Sequence, residues 1–263
     1  PKKTGWEVLN ELRRSVRNRM TPVILLTGSA AATGEVFGLN SGADDFIAKP
    51  FVPAELKARV NSALRRNKLG VSANPLTKLP GSPTIEEEVN HRIRRGIPFA
   101  FLYVDINHFK PYNDLYGYAA GDRILLETSQ LLLESVSAHA GRGGFVGHIG
   151  GDDFVVLAQP RHAPHVAQDI VSRFDEMSLH FYKAGDIERG YIEGKSRQGL
   201  PQRFPKISLS IGIVSSEQRV LDHYAKVVQI ASEMKAYCKA APEPRLSRFA
   251  FDRRGDFQDW STP

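Results

Sequence analysis

Gly150-Gly151-Asp152-Asp153-Phe154 sits between two apolar runs, Phe145-Val146-Gly147-His148-Ile149 and Val155-Val156-Leu157. β-Branched and aromatic residues that meet at a Gly-Gly pair read as a β-hairpin, here with an acidic tip. The glycines let a bulky anion approach the backbone, and the adjacent carboxylates suit a hard divalent cation. Such a tip would grip a nucleoside triphosphate without a P-loop, and the chain contains no G-x-x-x-x-G-K-[ST].

The elements that must position this tip lie upstream. Phe99–Val104 is an apolar run fit for a buried central strand, and it stops at Asp105-Ile106-Asn107. A carboxylate ending so apolar a run costs free energy unless metal or donors satisfy it. Asp105 from this strand and Asp152-Asp153 from a neighbouring hairpin form an oxygen-rich set suited to Mg²⁺. Next come Phe109-Lys110, Asn113, Gly117 and Gly121-Asp122, and then Ile124-Leu125-Leu126 to Leu131-Leu132-Leu133 at helical spacing. Asp122 is expected at the start of that helix as a cap. Asn113 and Asp122 are an amide and a carboxylate suited to the N–H and C=O groups of guanine.

The run Asp105-Ile106-Asn107-His108-Phe109-Lys110 through Asn113, Gly117 and Gly121-Asp122, followed by Gly150–Phe154, resembles the GGDEF family of diguanylate cyclases. Leu76-Thr77-Lys78-Leu79-Pro80 is similar to the family's L-T-x-L-P, and Ser208–Ile213 to its late S-x-G strand. The resemblance implies a mixed, mainly antiparallel sheet flanked by helices, related to nucleotide cyclases and polymerase palms. It also implies the joining of two GTP, one on each subunit of a homodimer, into cyclic di-GMP with release of pyrophosphate. It assigns Mg²⁺ or Mn²⁺ to Asp105, the Ile106 carbonyl, Asp152 and Asp153. Catalysis would fall to Asp152, Asp153 and Lys110. Nucleotide contacts would fall to Asn113, Asp122, Phe109, Lys110, Gly151 and Lys239, the last in Ala231–Lys239.

The departures from the family pattern are specific. The fourth signature position, usually Glu, is Asp153, whose carboxylate reaches about 1.5 Å less far for want of one methylene. Asn107 replaces the second acid of the family's D-x-D, and Glu243 stands where an Arg usually follows the last-helix Lys. The inhibitory R-x-x-D is absent, with Gly141 and Gly144 in its place, so product feedback through that site is not expected. Two readings stay open: a cyclase, or a catalytically silent domain that senses GTP or cyclic di-GMP and acts through a protein partner.

The N-terminal stretch of the chain has a different pattern. Pro22–Thr27 is a buried-strand run, Ala43–Phe51 holds another strand ending in Lys49-Pro50, Ala31–Ser41 has room for a short helix, and Leu56, Val60 and Leu64 form an apolar stripe. This alternation resembles the second half of a doubly wound response-regulator receiver domain. The resemblance makes Thr27 the switch hydroxyl, Phe46 the switch aromatic, Lys49 the phosphate-contacting lysine and Pro50 a cis-proline. It also implies an upstream histidine kinase. The phosphoacceptor is expected ahead of Pro1, so none is assigned, and this stretch reads as a truncated domain.

The expected organisation is α/β throughout. Residues 1–68 would be the C-terminal portion of a receiver domain, 69–75 a linker, 76–250 a GGDEF domain and 251–263 a C-terminal tail. The segment 178–205 is longer than the usual family connection and reads as a hairpin excursion. The formal charge of +6 raises nucleic acid as a partner, but the basic residues are dispersed. DNA is therefore not expected, nor is a membrane, because no apolar run is long enough to span one. The single Cys238 excludes an internal disulfide framework, fits a cytoplasmic location and reads as a packing residue. The histidines lack metal-ligand spacing, and His162 and His165 read as loop residues.

Overall fold

The computed structural model describes residues 3–14, 21–28, 42–195, 200–240 and 246–255, the side chains of 65–71 and 195 excepted. The helix expected within Ala31–Ser41, and Glu243, lie outside the described residues. The chain divides into two compact units, Pro1–Ser72 and Ala73–Pro263.

In the first unit, helix α1 (Gly5–Arg14) starts with a capping box. The Glu7 carboxylate accepts the Thr4 N–H at 2.6 Å, and Thr4 Oγ1 accepts the Glu7 N–H at 3.3 Å. Strands β1 (Ile24–Thr27) and β2 (Asp45–Ala48) pair in parallel, with Thr27 opposite Ala48. Beyond them the Lys49 N–H donates to the Thr27 carbonyl at 2.6 Å, and the Lys49-Pro50 peptide is cis. Thr27 and Phe46 are half-buried and Lys49 is exposed. Helix α2 (Pro53–Ser72) runs four residues past the expected boundary at Lys68, so Leu69–Ser72 are helical rather than linker. Gly70, near its end, costs only about 1 kcal/mol inside a helix.

The second unit is a five-stranded sheet with helices on both faces. Its strands are β3 (Ala100–Asn107), β4 (Phe145–Gly150), β5 (Asp153–Ala158), β8 (Ser208–Ser215) and β9 (Arg248–Phe251), in the order β4-β5-β3-β8-β9. All pairings are antiparallel except the parallel edge β8–β9. Strand β9 runs one residue past the expected domain end at 250. The helices are α3 (Ser82–Arg95), α4 (Phe109–Tyr116), α5 (Tyr118–His139), α6 (Ala163–Ser178), α7 (Ala184–Arg189) and α8 (Tyr224–Lys239). The excursion after Ser178 contains α7 and a separate hairpin, β6 (Tyr191–Lys195) with β7 (Pro201–Pro205). His165 lies in the first turn of α6 rather than in a loop.

Strand alternation decides which side chains meet which helices. On β3, Ala100, Leu102, Val104 and Ile106 enter one core with Ile124, Leu132, Ile170 and Phe174 of α5 and α6. Phe101 enters the opposite core with Ile85 and Val89 of α3 and Val227, Ile230 and Ala231 of α8, and Tyr103 packs against it. Asp105 shares the parity of Phe101 and Tyr103 and therefore lies on the α8 side. Helix α8 approaches that side closely because β8 carries Gly212 opposite Tyr103. A Cβ on Gly212 would stand 1.9 Å from the Ala231 carbonyl oxygen and 2.5 Å from the Lys235 nitrogen. Both atoms are backbone and cannot yield without moving the helix. Gly212→Ala is thus expected to destabilise the second unit by roughly 2–3 kcal/mol, as overpacking does. Urea unfolding of parent and variant measures it.

Candidate functional site

The acidic residues predicted from the sequence converge at one end of the sheet. Asp105 is the register partner of Asp153 across β3 and β5, and the Ile106 N–H donates to the Asp152 carbonyl at 3.2 Å. Gly151-Asp152 makes the turn between β4 and β5, with Gly151 at φ 59° and Gly150 at φ 150°, both in open space. The backbone at the tip is therefore accessible, as the glycine pair suggested.

Two lysines from α8 meet these carboxylates. Lys235 Nζ lies 2.7 Å from Asp153 Oδ1 and 3.2 Å from Asp105 Oδ1, and 3.8 Å above the Tyr103 ring centroid. Lys239 Nζ lies 2.6 Å from Asp105 Oδ2. That oxygen is buried and its contact with Lys239 lacks hydrogen-bond geometry, so it keeps acceptor capacity. The Lys235 side chain is 12% exposed and that of Asp105 is 7% exposed, so this is a desolvated cluster rather than a surface ion pair. Burial by itself would lower the Lys235 ammonium. The hydrogen bond to Asp153 and the charges of Asp105 and Asp153 outweigh it and hold the group above the ordinary lysine value. Burial and the nearby Asp105 charge push the Asp152 carboxyl up.

Asp105 and Asp153 offer the hard oxygen chemistry of a divalent-cation site, and the spare capacity of Asp105 Oδ2 fits one. Among the described residues, however, no three His, Cys, Asp or Glu side chains converge as a metal cage. The carboxylates present are already met by ammonium groups.

The other predicted residues occupy distinct places. Asn107 is tied down by serines: its Nδ2 donates to Ser208 Oγ at 3.0 Å and its Oδ1 accepts from Ser210 Oγ at 3.0 Å. Phe109 is buried in the sheet core and anchors the start of α4, while Lys110 beside it is exposed. Asn113 Oδ1 is buried with no hydrogen-bond partner, and a Cβ on Gly121 would come within 1.8 Å of it. Gly121 is thus the space that Asn113 occupies. Asp122 follows it on the exposed side of α5 but is not the cap expected from the sequence, because that helix begins at Tyr118 behind Gly117. Cys238 is buried, with Sγ 3.6 Å from the Ile211 carbonyl, and burial pushes its thiol up, as fits a packing residue.

Two residues of the site had no assigned role in the sequence reading. Lys235 stands one helical turn before Lys239, and Val227, Ala231, Lys235 and Lys239 recur at four-residue spacing along one face of α8. That spacing was the available signal. His148, hidden in an apolar run, links the hairpin tip to the L-T-x-L-P segment. Its Nδ1 lies 3.0 Å from Thr77 Oγ1, its Nε2 3.0 Å from the Gly151 carbonyl, and its ring stacks on Phe154 with centroids 4.1 Å apart. A neutral imidazole that donates from Nε2 and accepts the Thr77 hydroxyl satisfies both contacts.

Residues 72–192 match the family "Diguanylate cyclase, GGDEF domain", and residues 1–61 match "Response regulator receiver domain". The chain is 29% identical to diguanylate cyclase DosC of Escherichia coli K12, over 64% of this chain and 32% of that protein. It is 44% identical to the transcriptional regulatory protein CpxR of Klebsiella pneumoniae, over 33% of this chain and 35% of that protein. Across the first relatives the alignments span 32% to 50% of the relatives' own length. Among solved structures, the coiled coil and GGDEF domain of DgcB from Caulobacter crescentus, in complex with c-di-GMP, is similar at a TM-score of 0.50 and 19% identity. That likeness covers 75% of this chain and 94% of that one. Diguanylate cyclase SiaD of Pseudomonas aeruginosa, in complex with its activator SiaC, gives the same TM-score and identity over 75% of this chain and 70% of that one. Both likenesses concern the fold.

The His148 clamp carries a pH dependence of known sign. Burial holds the folded imidazole below its ordinary value, against the opposing Gly151 hydrogen bond and Asp153 charge. The stability that neutral His148 contributes is therefore complete above the unfolded value near ~6.5 and declines as pH falls below it. Asp152, with its raised carboxyl, acts in the opposite sense, so the comparison must be between variants. In urea titrations from pH 7.5 to pH 5, the parent is expected to lose more stability on acidification than His148→Asn.

Proposed function

Because this chain carries a response-regulator receiver domain followed by a GGDEF domain, we propose that it is a two-component regulator whose output is a diguanylate cyclase. The observation that carries the reading is the convergence of the strand end at Asp105 with the Gly150–Asp153 turn, at the positions where the family resemblance puts its nucleotide chemistry. The reaction is condensation of two GTP. The 3′-hydroxyl of each nucleotide attacks the α-phosphorus of the other, forming a P–O bond, breaking the α–β bridge and releasing pyrophosphate. Each hydroxyl proton passes to base or solvent.

In this reading Asn113 and Asp122 take the guanine edge. The unpartnered Asn113 Oδ1 is a buried acceptor that a base N–H would satisfy. Gly151 leaves the phosphates room to approach the hairpin backbone. Lys110, exposed on α4, and Lys239 supply positive charge to the phosphates. Lys239 would exchange its Asp105 partner for a phosphate oxygen, a contact of similar kind. Phe109 acts from the core by fixing the turn that presents Lys110. Asp105, the Ile106 carbonyl, Asp152 and Asp153 would hold Mg²⁺ or Mn²⁺, which when bound neutralises charge on the phosphates. Positioning two nucleotides face to face supplies much of the rate, and two copies of the chain are needed to do so. An upstream histidine kinase would act through the receiver domain, with Thr27, Phe46 and Lys49 as its switch residues.

One observation favours a second reading. Asp153 is a shorter acid than the family's usual Glu and is engaged by Lys235, which suits a domain that binds GTP or cyclic di-GMP and signals through a partner without turnover.

Incubation with GTP and Mg²⁺, with nucleotides resolved by chromatography, separates the readings. Cyclic di-GMP and pyrophosphate are expected from the parent, falling on the order of a hundred-fold or more in the Asp105→Ala, Asp152→Ala double variant. Asp153→Glu, which restores the longer reach, is expected to raise the parent rate. GTP bound in calorimetry without product would establish the sensor, and neither binding nor product would overturn both readings.

A further inference from the structure

The cation between Asp105 and Asp153 is one the chain supplies itself. Lys235 Nζ donates to Asp153 at 2.7 Å, stands 3.2 Å from Asp105 and caps the Tyr103 ring at 3.8 Å, in a pocket where its side chain is 12% exposed. A divalent ion held by these same two side chains would have to share them with this ammonium. An ammonium within hydrogen-bond distance of both would then lie against the ion, and the two would repel strongly in a desolvated site. The lysine cannot simply drift clear at its root, because Gly212 lets the α8 backbone press on β8 and the Lys235 nitrogen lies within 2.5 Å of where a Cβ at Gly212 would stand. Only the flexible stem is free to swing.

We propose that Lys235 is the resident counter-cation of the Asp105–Asp153 pair, a positioning residue that sets the affinity of this site for divalent metal. The inference rests on reading the acidic strand end as a divalent-cation site. In the free protein Lys235 holds the two carboxylates together and weakens metal binding. Metal then enters efficiently only with a polyphosphate that both brings oxygen ligands and offers the displaced ammonium a new anionic partner. Asp105 Oδ2 is met by Lys239 at 2.6 Å, so that oxygen opens to an incoming ion once Lys239 leaves, before Lys235 moves. Lys239 does not duplicate the role, because it meets only Asp105 and its side chain is 43% exposed, so it leaves at little cost.

The test is Mn²⁺ binding to the nucleotide-free protein, followed by electron paramagnetic resonance of free Mn²⁺, with thermal unfolding measured in EDTA and in Mn²⁺. Lys235→Met removes the ammonium, and Lys235→Gln keeps a hydrogen-bond donor in case the first variant folds poorly. Both are expected to bind Mn²⁺ at least tenfold more tightly than the parent. Both should melt below the parent in EDTA, because the carboxylates are left without their cation, and recover with Mn²⁺. Lys235→Arg should show no gain in affinity. Equal Mn²⁺ affinity in parent, Lys235→Met and Lys235→Gln would overturn the role of Lys235 while leaving the cation site standing. No Mn²⁺ binding by any folded variant would overturn the cation-site reading and this inference together. Neither readout depends on GTP turnover, so a catalytically silent protein is tested equally well.

Discussion

Two carboxylates face each other directly across an antiparallel ladder, on the buried side of a sheet. Like charges opposed in this way destabilise the strands that carry them, and burial raises the cost. Much of the surrounding structure follows from the need to offset that repulsion. Strand parity sends Asp105 and Asp153 toward α8 rather than toward α5 and α6, so the compensating charge must come from α8. A helix brings charge there only if it approaches closely and presents cations on successive turns. Gly212 permits the approach, and Lys235 and Lys239 at four-residue spacing provide the charges. The Tyr103 ring completes the enclosure by offering its face to the Lys235 ammonium.

A tethered cation and a dissociable one solve the same electrostatic problem differently. A metal stabilises the carboxylates only to the extent that its concentration exceeds its dissociation constant. A lysine four residues from another on a packed helix is present at any ionic composition, but it competes for the oxygens that a ligand would use. Loss of one partner from such a desolvated cluster is costlier than loss of a surface pair. In the proposed reading, the contacts that hold the free domain together are those that binding would rearrange, and the flexible lysine stems are the groups able to do it.

Much of this arrangement was legible in the sequence, because it depends on short-range patterns. The apolar run ending at Asp105, the Gly-Gly turn and the alternation on either side of it specify the strands, their faces and the meeting of acid with acid. The role of Lys235 was not legible for a geometric reason. Read along α8, its spacing puts it on the face of Lys239, but that it meets Asp105 and Asp153 depends on the crossing of that helix over Gly212. A histidine inside an apolar run gives no hint that it bridges Gly151, three residues on, to Thr77, far away in sequence. Asp122 was misplaced as a cap because the helix begins earlier than its apolar periodicity, at Tyr118, where no acidic residue marks the start. The extension of α2 through Gly70 to Ser72 shows the complementary error, a breaker overridden by the helical run that precedes it.

The supports of the site are also unequal in kind. At the hairpin, the carbonyl of Gly151 is held by His148, and His148 is held by Thr77 and by stacking on Phe154, so each contact of the tip has its own partner. At the other end, the Asn113 amide oxygen is buried against Gly121 without a partner. A fully satisfied clamp stiffens the protein whether or not a ligand is present, whereas a buried acceptor left open is a standing cost that only an incoming donor removes. Rigidity concentrated at the hairpin and unsatisfied polarity at Asn113 divide the labour in a particular way. In the proposed reading the stiff tip would receive phosphate and metal without reorganising, and Asn113 is where recognition of the base would be rewarded. The Lys235 cluster is intermediate between them, its carboxylates satisfied by lysines on flexible stems.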